Sequence, residues 1–102
     1  MSAVHRNSDE NDELHHIYVI IDKTDNSIFK YGISCGVIKD SLSKRMRIQL
    51  RNLNVIDDWT RFFARIIVFD IEGRLEAKRI ESEYIEAYKL KYGQRPRGNL
   101  TD

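Results

Sequence analysis

Residues 16–34 read HIYVIIDKTDNSIFKYGIS, two β-branched and aromatic runs around a polar pentapeptide, Lys23-Thr24-Asp25-Asn26-Ser27. Val, Ile, Tyr and Phe favour strands, whereas Asp, Asn and Ser favour turns, so residues 17–22 and 28–34 are predicted to pair as a β-hairpin. The rest of the chain must pack against it. Side chains alternate along a strand, which assigns Phe29 and Tyr31 to one face and Lys30 and Gly32 to the other. A plain hairpin would be served by valine at positions 18, 30 and 31. Phenols and an amine there mark the hairpin as a candidate for chemistry.

Downstream, Ser41 or Ser43 can cap a helix reaching about Asn54, with Leu42, Met46, Leu50 and Leu53 at helical spacing. After a connector around Trp59, residues 61–70 read as a third strand, rich in Ile, Val and Phe. A second helix is predicted over residues 74–91, with Ala77, Ile80, Tyr84, Ile85 and Tyr88 on one face, stopped by Gly93 and Pro96. The order strand, strand, helix, strand, helix describes an α+β fold, a small three-stranded antiparallel sheet flanked by helices. Residues 1–14 are polar and acidic and read as a flexible leader, leaving 15–102 as one domain.

The apolar runs at 17–21 and 66–69 are too short to cross a bilayer, and no secretory h-region precedes them. A cytoplasmic protein acting on intracellular nucleic acid is expected, with non-classical export as an effector the other route. The single Cys35 forms no internal disulfide and no structural zinc site, and no His lies near it in sequence to activate a thiol. Formal charge is +1, but the charges are segregated. Acids crowd residues 9–13, whereas Lys39, Lys44, Arg45, Arg47 and Arg51 cluster centrally and Lys89, Lys91, Arg95 and Arg97 near the end. Two basic stretches in a small domain suit a polyanion such as nucleic acid, and solvated helix faces are the plainer reading.

Glu81 borders the apolar stripe of the second helix. A carboxylate there needs a cation, either a divalent metal or an arginine such as Arg45. Arg45 itself, one position before Met46, lies at the edge of the first helix's stripe and carries a fork that matches phosphate.

Together these residues resemble the GIY-YIG nucleases. His16-Ile17-Tyr18 is similar to the first motif of that family, and Lys30-Tyr31-Gly32 to the second. Arg45 matches the helix arginine, Glu81 the metal-binding glutamate and Asn99 the terminal asparagine, so the likeness spans residues 15–100. The ending Tyr-Gly-Gln-Arg-Pro-Arg-Gly-Asn is similar to nuclease domains at the tips of bacterial polymorphic toxins. Three positions depart from the pattern: His16 replaces a glycine, Lys30 the second motif's tyrosine, and Gln49 a His or Tyr. The resemblance implies a phosphodiester-hydrolysing endonuclease, acting first on DNA, with one Mg²⁺ or Mn²⁺ on Glu81. Tyr18 would be the general base, with Lys30 lowering its pKa and Tyr31 beside it. Arg45 would stabilise phosphoryl charge, and Asn99 would fix the closing loop. His16, Lys44, Arg47, Gln49 and Arg51 would contact nucleic acid. An immunity or inhibitor protein is the expected protein partner. A binding module without turnover and a protein-interaction domain are the alternatives.

Overall fold

The computed structural model describes residues 13–36, 38–39, 41–56 and 61–99. β1 (Leu14–Asp22) is the centre of the sheet because it is apolar on both faces: Ile17, Tyr18 and Ile20 have no exposed surface. It pairs antiparallel with β2 (Ser27–Cys35) across the predicted turn and, on its other side, with β5 (Phe62–Glu72), giving the order β2-β1-β5. Two further strands, β3 (Ile38–Lys39) and β4 (Leu42–Ser43), form a separate minimal hairpin before α1 (Lys44–Ile56). α2 (Arg74–Tyr92) follows β5. This is the α+β architecture expected from the sequence.

The helices cover opposite faces of the sheet. Met46, Leu50 and Leu53 of α1 pack on Tyr18, Ile20, Phe62 and Ile66. On the other face, Ala77, Ile80, Tyr84, Ile85 and Tyr88 of α2 pack on Ile17, Val19, Tyr31 and Ile33, the stripe read from the sequence. Each wholly buried aliphatic side chain contributes about 1.5–3 kcal/mol relative to exposure, so β1 is the principal source of stability.

Three details differ from the sequence reading. Phe29 does not share a face with Tyr31. The β1–β2 register shifts between Ile20 and Ile21, leaving Phe29 unpaired between Lys30 and Ile28, and its ring joins Phe62 on the α1 side at 5.0 Å. Leu42 belongs to β4 rather than to the helix, because Ser41 adopts a positive φ of 67° that ends helical geometry and the Ser43 hydroxyl accepts the Met46 N–H as the cap. The sheet also begins at Leu14, inside the span read as leader. The remainder of that leader, residues 1–12, and the connector at Trp59 lie outside the described residues.

Candidate active site

β2 is an edge strand, and both of its faces open into one cavity of about 360 Å³. Tyr18 reaches this edge from the central strand by crossing its neighbour. Gly32, directly opposite it, makes this route possible: a Cβ at position 32 would lie 2.2 Å from the Tyr18 ring. Lys30, two residues along β2, lines the same wall. Arg45 arrives from the first turn of α1 and Glu81 from α2, on the opposite face of the sheet. The five residues Tyr18, Lys30, Arg45, Glu81 and Asn99 therefore border a single space, with Tyr31 behind them. Arg74 and Lys78 of α2 add two more cations.

Burial governs the protonation of these groups. Tyr18 is wholly buried, and desolvation raises its phenol above the ordinary value despite the attraction and hydrogen bond of Arg45. Arg45, not Lys30, is the group that opposes burial at Tyr18. The Tyr18 hydroxyl donates to Gln49 Oε1 one helical turn beyond Arg45. Desolvation, then repulsion from Arg45, lowers Lys30, while Glu81 partly restores it. Glu81 is raised by burial, against the pull of Lys30, Arg74, Arg45 and Lys78. Tyr31 is raised by burial and by Tyr84, Tyr88 and Tyr92; its ring lies 5.3 Å from that of Tyr84, inside the core. Its side chain is thus part of the wall's foundation.

The C-terminal segment closes the edge. Asn99 Oδ1 accepts the Tyr31 N–H at 2.9 Å and Nδ2 donates to the Tyr31 carbonyl at 2.9 Å, replacing a strand partner on the open side of β2. Gly98 donates its N–H to the Phe29 carbonyl at 2.7 Å, and a Cβ there would lie 2.5 Å from the Phe29 ring. Asp22, 1% exposed, anchors the strap: it accepts from Arg97 at 2.9 Å, from Arg61 at 3.0 Å and from the Thr24 hydroxyl at 2.7 Å. Arg97, read from the sequence as part of a basic patch, is committed to this internal pairing.

The family model of URI fold toxin 2 matches residues 8–93, which include Tyr18, Lys30, Arg45 and Glu81 but not Asn99. The chain belongs to the URI fold toxin 2 family. No curated protein and no solved structure matches the chain.

Around the cavity of this URI fold domain, the residues expected to touch nucleic acid divide. Lys44 and Gln49 line a second cavity beside the first, and Arg45 borders both. Arg47 lies further along α1, where its guanidinium donates to the carbonyls of Lys39 at 3.3 Å and Leu42 at 3.5 Å, bracing the β3–β4 hairpin. Arg51 is exposed on the same helix. His16 is buried away from both cavities, where Nδ1 accepts the Asp70 N–H at 3.3 Å and the ring meets Phe69 edge-on. Its neighbour His15 lines the second cavity instead. Lys44 and Arg45 occupy a helix first turn that holds no acid, where cations oppose the helix dipole by about 0.3–1 kcal/mol each. An arriving anion would relieve that cost.

Among the described residues no group of three or more His, Cys, Asp or Glu is placed to hold a metal. Glu81 fits one in a narrower sense. Burial still outweighs its cationic neighbours, so its negative charge gains from further positive charge. A single hard oxygen donor suits Mg²⁺ that keeps several waters and takes its other ligands from substrate phosphate.

Proposed function

We propose that this URI fold toxin domain is an endonuclease of the GIY-YIG type, hydrolysing phosphodiester bonds with DNA as its first substrate. The observation that carries this reading is the meeting of a phenol, an ammonium, a guanidinium and a carboxylate in one cavity at the edge of β2. Arg45, Lys30, Arg74 and Lys78 make the cavity attractive to a phosphodiester, and Arg45 is placed to neutralise charge on its non-bridging oxygens. Glu81 would hold a divalent ion, which when bound supplies Lewis acidity at the phosphate and leaving oxygen.

Tyr18 is the general base of this scheme. In the resting site the phenol proton is directed at Gln49, an amide oxygen that cannot take it, so the base forms by loss of that proton to solvent. Water then attacks phosphorus as its proton passes to the Tyr18 phenolate, and the P–O bond to the leaving sugar oxygen breaks, that oxygen taking a proton from solvent. Lys30, lowered in pKa and half-buried, is placed to steady the oxygen that carries the departing or developing charge. Asn99 touches no reacting atom here; it positions β2. A toxin of this activity implies an immunity protein that covers the cavity in the producing cell.

Supercoiled plasmid incubated with the purified protein should be nicked in Mg²⁺ or Mn²⁺ and left intact in EDTA. Glu81→Gln should retain the fold by circular dichroism and lose about a thousandfold in rate. Plasmid that is retarded on a gel but never cut, in any metal, would leave a binding module in place of an enzyme.

A further inference from the structure

The second cavity, of about 560 Å³, shares Ile33, Arg45 and Arg74 with the candidate site. Its charges are of one sign. Lys44 and Arg45 come to it from the first turn of α1 and Arg74 from the first residue of α2, while among the described residues no Asp or Glu lines it. Ile33 and Ile48 supply apolar wall, and low-dielectric walls focus the field of like charges on whatever enters between them. Cations gathered in this way repel one another, and those of α1 also oppose the helix dipole in a first turn that holds no acid. An anion relieves both costs.

The two cavities differ in how they can hold one. Glu81 gives the first a ligand for a divalent ion, whereas the second offers no carboxylate among the described residues, so an anion there is held by the cations directly. Arg74, Lys78 and Glu81 stand at i, i+4 and i+7 on one face of α2, which sets Arg74 about two turns from the carboxylate. Of these three, Arg74 alone also lines the second cavity. A nucleic acid repeats its charge at every linkage, so a strand with its scissile phosphate at Arg45 and Glu81 carries a further phosphate towards the shared wall.

We propose that the second cavity binds the phosphate next to the scissile one, held by Lys44 of α1 and Arg74 of α2. The proposal rests on the reading of Arg45 as a phosphate-binding residue. It makes a chain with consecutive phosphates the substrate, because a compound with a single diester fills only one of the two cavities.

Three ligands separate the proposal from its foundation: a thymidine trinucleotide with two phosphodiester linkages, and two versions in which one or the other linkage is an uncharged methylphosphonate. All keep the same bases and sugars. Titrated into the full chain in EDTA and followed by NMR, the doubly charged ligand should bind about tenfold more tightly than either singly charged one. Arg74→Gln and Lys44→Gln, each checked for fold by circular dichroism, should shrink that advantage, and the double variant should abolish it. Arg74→Lys should keep most of it, and so should Arg79→Gln, which alters the Glu76 and Glu83 pairing on an exposed part of the same helix. Equal binding of the three ligands to the wild-type protein would overturn the second subsite and leave phosphate recognition at Arg45 standing. An advantage undiminished in the double variant would also overturn it, and binding of none of the three would overturn both.

Discussion

A methyl group at position 32 would lie 2.2 Å from Tyr18 Cζ and 2.3 Å from its oxygen, so Gly32→Ala must displace the phenol from the cavity wall. Such overpacking costs about 1–3 kcal/mol, read by urea denaturation, and cleavage should fall with it, because the general base is the group that moves. Titration of the same phenol sets a pH dependence. The active form is the phenolate, and burial raises the pKa, so the ionised fraction at neutral pH is small and grows as pH rises. The rate of cleavage should therefore climb with pH through the neutral range. Removing the acceptor Gln49 withdraws a bond that stabilises the protonated phenol and admits water, and both changes lower the pKa. Gln49→Ala should shift the rising limb of the pH profile to lower pH; an unmoved limb would separate Gln49 from the base. Tyr18, Lys30, Arg45 and Glu81 could be singled out from the sequence because together, in order, they resemble the GIY-YIG pattern; taken alone, each also has a plain structural reading. Asp22 and Asn54 could not. Asp22-Lys23-Thr24 reads as ordinary turn chemistry, and nothing local shows that Arg61 and Arg97 converge on it. Asn54 exchanges bonds of 2.9 and 3.1 Å with the Phe62 backbone, a pairing visible only once α1 and β5 are docked.

At the level of elements, the two outer strands of the sheet are each closed by an asparagine side chain: Asn99 on Tyr31 of β2, Asn54 on Phe62 of β5. An amide that both donates and accepts imitates a paired strand at a single residue, which limits pairing with other chains. Asp22 joins β1, β5 and the C-terminal strap, and hydrogen bonds from Arg61 hold its carboxyl well below the usual carboxylate range. A depressed folded pKa gives stability that is complete above the unfolded value of about 3.9 and is lost as pH falls below it. Asp22→Asn should cost about 2–3 kcal/mol at pH 7, and the difference from wild type in urea midpoints should narrow below about pH 4. The hairpin and both long helices were legible because their apolar periodicities are unbroken. The bulge at Phe29 and the β3–β4 hairpin were not, since one slips a register that depends on β1 and the other is too short to have a period.

Across the whole molecule, a formal charge of +1 conceals an uneven distribution: among the described residues that line the two neighbouring cavities, Lys30, Lys44, Arg45, Arg74 and Lys78 are cationic and Glu81 is the carboxylate. If about four of these meet phosphates, duplex affinity measured by fluorescence anisotropy in EDTA should fall about a hundredfold between 50 and 200 mM salt. A flat salt response would remove the polyanion from the account. The helices that supply Arg45 and Glu81 lie on opposite faces of the sheet, so the proposed site depends on both side chains reaching the edge strand β2. The most direct measurement is a crystal structure of Tyr18→Phe with a short duplex and Mn²⁺, located by anomalous scattering. A Mn²⁺ peak is expected about 2 Å from a Glu81 carboxylate oxygen, with a phosphate between it and Arg45. A metal held elsewhere, or a duplex lying on another face with this cavity empty, would contradict it.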